Sequence, residues 1–302
     1  VSDPIRITRN HTTCVFDPAA EPVAEIQPGQ RALFETWDAL GGRVRTVEDA
    51  LTLVLPPEQL NPATGPVYVA GAEPGDTLVV KVERIELAER GQSRIRAGSG
   101  VIINELNPPR ANLVYVRDGT VIFNEQIRFP ARPMVGVVGV APSSGLIATF
   151  YPGAHGGNLD INDLGPGATV YLPVSVPGAL LSIGDVHAHM GDGELTGGGI
   201  DIPAEVTVQV SLLRGFAYPR PLIETADAWS TCAYAPTLPE AVRMATRDMV
   251  DLLSQRLGIS REEAFQLVGA AGDARIGQAA ELDMDATAYV RVPKTILPHA
   301  FG

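Results

Sequence analysis

The sequence predicts a β-rich α+β fold: two closely packed sandwich- or barrel-like β layers with a C-terminal helical pair. Three observations carry this. The 31 glycines and 25 prolines punctuate short β-branched runs through most of the first 220 positions, the pattern of many short strands joined by tight turns. Some runs alternate with period two. In Glu205-Val206-Thr207-Val208-Gln209-Val210-Ser211-Leu212 the even positions are apolar and the odd ones polar, so one face meets a core and the other meets solvent. Near Thr237 the period changes to that of a helix.

In chain order, strands are expected at residues 32–36, 77–85, 113–116, 135–140, 169–173 and 204–213, each bounded by turn formers. Glu73-Pro74-Gly75 and Asn107-Pro108-Pro109 read as turns inside one fold, because neither is flanked by the long polar stretches of a linker. Thr237-Leu238-Pro239-Glu240 has capping-box spacing with a proline in the first turn, which starts a helix at about 238–257 that Gly258 stops. Ser260-Arg261-Glu262-Glu263 repeats the box and opens a helix at about 261–271, and a closing strand follows at about 286–292. The chain 1–302 reads as a single domain, with 45% apolar residues to fill its core.

Composition excludes several functions. A net charge of −12 without any basic run argues against nucleic acid as a partner. Cys14 and Cys232 form no CxxC pair, so thiolate metal sites and redox motifs are not indicated, and a reducing cytosol fits. Neither a signal-peptide core nor a run of about 20 apolar residues is present. A soluble cytoplasmic protein with no membrane partner is expected.

Charge points to a site. Between Arg132 and Arg214 there is no lysine or arginine, yet this stretch holds Asp160, Asp163, Asp185, Asp192, Glu194, Asp201 and Glu205 with three of the five histidines. Buried carboxylates without counter-charge pick up a proton or bind a cation. If residues 179–187 form a strand, Asp185 and His187 leave it on one face, and a carboxylate beside an imidazole is half a zinc site. His155 and Asp160 offer a second such pair on a glycine-rich loop, and Gly191 and Gly193 bracket Asp192 ahead of Glu194. Plainer readings stand beside these. A lone histidine can be a hydrogen-bonded structural residue, Asp192-Gly193 a hairpin turn, Asp163 a turn cap, and Asp201 and Glu205 the solvated edge of a strand.

The ordered run His155-Gly-Gly-Asn-Leu-Asp160, Gly165-Pro-Gly-Ala-Thr-Val-Tyr-Leu-Pro-Val174, Pro177-Gly-Ala-Leu-Leu-Ser-Ile-Gly-Asp185-Val-His187-Ala and Gly191-Asp-Gly-Glu194 closely resembles the acetamidase/formamidase family. The resemblance extends to Phe34-Glu-Thr-Trp-Asp38-Ala, to Val67 through Leu78, and to Gly272-Asp-Ala-Arg-Ile276 with Val292-Pro-Lys294. It implies metal-assisted hydrolysis of a short linear carboxamide to a carboxylate and ammonia. The sequence agrees on the negative side: no Gly-x-Ser-x-Gly is present, and neither cysteine has a motif that would activate a thiolate.

Carried over residue by residue, the resemblance implies His155, Asp160, Asp185 and His187 as metal ligands, with Asp38 as an alternative ligand. Glu194 is implied as the proton-transfer group with Asp192 beside it, and His189, Met190, Gly191 and Gly193 as substrate contacts. Zinc is the expected divalent ion, and an oxygen-rich set would take calcium. A homo-oligomer, dimer or larger, is expected from the same resemblance. The chain departs from the family pattern at Met190, where Gln is usual, and at Thr196-Gly-Gly-Gly-Ile-Asp201. Either Met190 replaces a group that holds the carboxamide and favours a larger amide, lactam or carbamate, or it packs in the core. The contrasting expectation is a non-catalytic β-rich binding protein stabilised by a structural cation.

Overall fold

The computed structural model describes residues 3–216, 218–280 and 284–301. Among them, a nine-stranded sheet runs in the spatial order Ile5–Ile7, Arg31–Thr36, Ala204–Leu213, Thr77–Leu87, Thr169–Pro173, Leu222–Glu224, Ala228–Ala235, Ala286–Pro293, Asp273–Ile276. A seven-stranded sheet runs Pro152–Gly153, Gly156–Asn158, Met134–Gly139, Leu181–His187, Ala63–Val69, Thr12–Thr13, with Ala24–Ile26 also paired to Ala63–Val69. Phe34, Val80, Val206 and Val208 of the first sheet and Val67, Val135, Leu181 and Ile183 of the second belong to one buried cluster, so the two layers share a core. Each such side chain contributes about 1.5–3 kcal/mol by leaving water.

The alternating run forms the strand Ala204–Leu213, bonded on one side to Thr77–Leu87 and on the other to Arg31–Thr36. Val206, Val208 and Val210 are buried while Glu205, Gln209 and Ser211 are partly exposed, as period two requires. A small four-stranded sheet, Arg128–Pro130, Thr120–Ile122, Arg110–Arg117 and Arg90–Ile95, brings its last strand to the edge of the site.

The helices are Leu238–Leu257 and Arg261–Ala271. Thr237 Oγ1 accepts from the Glu240 N–H at 3.4 Å and Ser260 Oγ from that of Glu263 at 3.1 Å, satisfying donors that an isolated helix start leaves orphaned. Gly258, at φ +65°, closes the first helix in the left-handed conformation. Ala245, Met249, Leu252 and Leu253 pack with Trp229, Val290 and Val292 of the large sheet in a second buried cluster. No helix of the described residues is long and apolar enough to cross a membrane.

Candidate active site

Register builds the site. Leu181–His187 pairs antiparallel with Met134–Gly139, His187 facing Met134 and Gly184 facing Val137, so Asp185 lies opposite Gly136. On the other side of the same strand, Asn158 faces Val137, and the N–H groups of Leu159 and Asp160 both donate to the Gly136 carbonyl. Asp160 and Asp185 therefore flank one glycine. A Cβ at position 136 would stand 2.6 Å from Asp160 Oδ1 and 3.1 Å from Asp185 Oδ2, so only the absent side chain leaves room for the two carboxylates.

His187 joins them. Its Nδ1 is 4.0 Å from Asp160 Oδ1 and its Nε2 3.6 Å from Asp185 Oδ1. One ligand atom from each of Asp160, Asp185 and His187 lies within 4.8 Å of the other two, and all three residues are buried. Asp201 Oδ1 stands 3.3 Å and Glu194 Oε1 3.8 Å from His187 Nε2. Asp201 Oδ2 accepts from Gln92 Nε2 at 3.1 Å, and the backbones of Gln92 and Asp201 exchange both hydrogen bonds.

The electrostatics are dominated by buried acids around one imidazole. Burial pushes the Asp185 carboxyl up to about 8, and Asp160, Asp201 and Asp38 push the same way against the opposing pull of His187. Burial and then Asp160 raise Glu194 well above the usual carboxylate range. For His187 burial disfavours the charge, but Asp185, Asp201 and Glu194 outweigh it and hold the imidazole well above its ordinary value. Asp185 Oδ1 and His187 Nδ1 are buried without a hydrogen-bond partner. Such atoms are costly unless something occupies the space between them, and an imidazole with carboxylates is a donor set that suits a divalent ion.

Backbone strain collects at the same place. Among the described residues seven non-glycines have positive φ, and Asn61 (50°), Asp160 (49°), Asp185 (47°) and Glu194 (44°) are four of them. Strained conformations persist where the surrounding structure over-determines them, and they concentrate at active sites. The cavity here has a volume of about 40 Å³. Asp185, His187, Glu194 and Asp201 line its acidic side, Asn61, Asn158, Arg94 and Arg96 its polar side, and Leu60, Phe150 and Met284 an apolar side.

Of the residues expected from the sequence, the structure brings together Asp160, Asp185, His187 and Glu194. The others are corrected. His155 is not in the group: the ligand atoms that lie together come from Asp160, Asp185 and His187, while the His155 carbonyl accepts from the Val140 N–H. Its ring is buried edge-on against Phe16, and burial alone lowers its pKa to about 4. Asp38 stands beside the group rather than in it, its Oδ1 taken by the N–H groups of Leu40 and Gly42. Asp192 is turned away, bonded to Asn162 Nδ2 at 2.7 Å and paired with Arg275 at 2.6 Å.

The expected substrate contacts do not line the cavity. Met190 is 2% exposed and packs in the interior, and with His189 and Gly191 it borders a neighbouring surface groove. His189 Nδ1 lies 3.0 Å from the Pro130 carbonyl, and the Gly193 N–H is held by the carbonyls of Ile276 and Gly277. Asp163 is no turn cap but sits between Arg275 and Arg291, while Asp201 is buried at the site instead of on a solvated edge. Glu205 lies on the solvent-facing side of an interior strand, paired with Arg6. Counter-charge for the acidic stretch thus arrives from distant segments, through Arg275, Arg291, Arg94 and Arg96.

Sequence reasoning missed Asn61, Gln92, Arg94 and Asp201. Asn61 had a local signal, since Asn61-Pro62 marks a turn. Gln92 and Arg94 belong to a polar strand, Gln92 meets Asp201 only across 109 positions, and nothing local announces either residue.

The family model described as the acetamidase/formamidase family matches residues 3–151 and 147–228. The structure is similar to that of a predicted acetamidase/formamidase from Thermoanaerobacter tengcongensis, with 37% identity, a TM-score of 0.93, and 98% of this chain and 97% of that one covered. It is similar in the same degree to an acetamidase from Bacillus halodurans, at 37% identity and TM-score 0.93, with 97% and 99% covered. A formamidase from Methylophilus methylotrophus is 24% identical over 257 residues, 66% of this chain and 63% of that protein. The chain spans 62–65% of the length of the curated relatives it matches. With a family match over most of its length and solved structures superposing over nearly all of it, the chain belongs to the acetamidase/formamidase family.

Proposed function

We propose that this protein hydrolyses a short linear carboxamide to a carboxylate and ammonia at a divalent metal site held by Asp160, Asp185 and His187. The observation that carries the reading is that the buried acid–imidazole group opens onto a cavity, which a purely structural ion would not need. The cavity is small, about 40 Å³, which suits a small amide such as formamide or acetamide. An imidazole nitrogen among the donors favours zinc over calcium.

When bound there, a divalent cation supplies Lewis acidity toward the amide oxygen and lowers the pKa of a water from about 15.7 toward about 7. The chain's own residues do the rest. Glu194 takes the proton from the attacking water and returns it to the departing nitrogen, so that ammonia leaves instead of an amide anion. Asp201, anchored by Gln92, orients the His187 ring as an outer carboxylate does for a metal-bound histidine. Leu60, Phe150 and Met284 wall the cavity on its apolar side.

The test is ammonia release from formamide and acetamide by the purified protein, together with elemental analysis of protein prepared without added metal. Turnover with about one zinc per chain supports the proposal. A metal-replete protein inert toward both amides refutes it, and turnover confined to larger amides, lactams or carbamates moves the substrate class. Assembly as a dimer or larger in the cytoplasm belongs to the same proposal, and a monomeric mass by light scattering overturns that part.

A further inference from the structure

We propose that Asn61 and Asn158 form a carboxamide-reading pair in the cavity wall, one offering an acceptor to the substrate's N–H and the other a donor to its carbonyl. The inference rests on the amide-hydrolase reading above and names the residues that would make the site specific for primary amides. Both side chains are buried and both line the cavity that holds Asp185, His187, Glu194 and Asp201. Asn61 Nδ2 donates to Asn158 Oδ1 at 2.9 Å.

A side-chain amide has two N–H donors and an oxygen with two lone pairs, so this one bond leaves capacity on both partners. Asn61 keeps its carbonyl oxygen. Asn158 keeps its amide group, whose contact with Met284 Sδ at 3.9 Å is to a weak acceptor. An oxygen and an N–H side by side complement a primary amide, which donates through nitrogen and accepts through oxygen.

Both residues are held firmly. Asn61 is fixed at φ +50° by its N–H bond to the Ala39 carbonyl, a strained backbone of the kind that persists at ligand sites. Asn158 ends a strand whose register also sets Asp160 and Asp185 about Gly136, so the reader and the acids share one support. Both side chains are neutral. A lysine in either place would pair with the neighbouring acids instead of reading an uncharged substrate.

The experiment compares wild type, Asn61→Gly and Asn158→Leu, each metal-replete and with its thermal midpoint recorded. The ligands are acetamide, followed by ammonia release, and acetone as a competitive inhibitor. Acetone keeps the carbonyl and the size of acetamide but has no N–H. Glycine accepts the positive φ at 61, and leucine matches asparagine in shape. Asn61→Gly is expected to raise KM for acetamide about 10-fold or more while leaving the acetone inhibition constant unchanged. Asn158→Leu is expected to weaken both by about 10–100-fold, with kcat altered far less than KM in each variant. Loss of folding at Asn158→Leu leaves Asn61→Gly and its acetamide–acetone contrast to decide. Wild-type turnover with KM unchanged in the folded variants, or with acetamide and acetone weakened equally by Asn61→Gly, overturns the proposal. A wild type that hydrolyses no amide overturns the amide-hydrolase reading and this inference with it. Turnover confined to larger amides, lactams or carbamates moves the substrate class and overturns this inference alone. Either outcome is recognised before any variant is made.

Discussion

Replacing Gly136 by alanine tests the architecture of the site without touching any acid. The new Cβ would stand 2.6 Å from Asp160 Oδ1, 2.8 Å from the Asp185 carbonyl oxygen and 3.1 Å from Asp185 Oδ2. Ordinary van der Waals contact would require the first two to retreat by roughly 0.5–0.8 Å. Two of those atoms belong to carboxylates that would have to spread apart, and the third to a strand backbone that resists movement. Overpacking of this kind costs about 1–3 kcal/mol, which for a chain of this size lowers the thermal midpoint by about 2–6 °C. A displacement approaching 1 Å at a catalytic group costs on the order of 100-fold in rate. The assay is kcat/KM for acetamide by ammonia release, with metal content by elemental analysis. Gly139→Ala is the control, because on the same strand its Cβ would meet Phe16 and the Gly157 nitrogen at 2.8 Å, away from the acids. Both variants should lose stability, but only Gly136→Ala should lose metal and turnover. Wild-type metal content and activity in a folded Gly136→Ala protein would refute the placement of Asp160 and Asp185 about one ion.

Glu194→Gln keeps shape and removes the proton carrier, so kcat should fall by about 10²–10⁴-fold with metal content unchanged; retained turnover removes Glu194 from the chemistry. Asp192→Asn, which loses its pair with Arg275 at the rim, should cost about 1 kcal/mol or less by denaturant titration and leave kcat close to wild type. A large loss of rate with full metal content would return Asp192 to the catalytic group. His155 gives a pH signature. Its folded pKa of about 4 lies below the unfolded value near 6.5, so stability is fully present above about 6.5 and is lost as pH falls through about 4, by about 3 kcal/mol in all. Urea midpoints should therefore fall less steeply between pH 6.5 and 4 in His155→Gln than in wild type, with metal content equal in the two at neutral pH. An unchanged slope contradicts the neutral, buried ring. Chelation should abolish ammonia release and lower the thermal midpoint, with recovery on adding zinc; full activity after verified metal removal sinks the metal assignment.

The fold was legible where one face of an element is wet. Ala204–Leu213 alternates because Glu205 and Gln209 reach solvent, and Leu238–Leu257 shows its period and caps because only one stripe is covered. Leu181–His187 is buried along its whole length, so no alternation marks it as a strand. Val47–Thr52 is too short to show a period, although Thr46 and Asp49 close a complete capping box. Composition marked the stretch, through acids without local cations, and the family resemblance narrowed it to residues that include Asp160, Asp185, His187 and Glu194. Register was not legible. It groups His187, and not His155, with Asp160 and Asp185, although two histidines on glycine-rich segments look equivalent in the sequence. Asp201 looked like the edge of a strand because Gln92, the residue that buries it, is 109 positions away.

The turn that bears Glu194 is moored by its neighbours. Gly193 is bonded to the carbonyls of Ile276 and Gly277, and Asp192 is paired with Arg275, on a hairpin that the C-terminal helices precede and cover. During synthesis the ribosome releases residues 191–197 long before residues 275–278, so this turn waits about eighty residues for its anchorage. Contacts so distant in sequence form late, after the entropy of closing the loop has been met. The Glu194 turn is thus among the last parts of the site to mature, and a nascent chain carries Glu194 unmoored until that hairpin emerges.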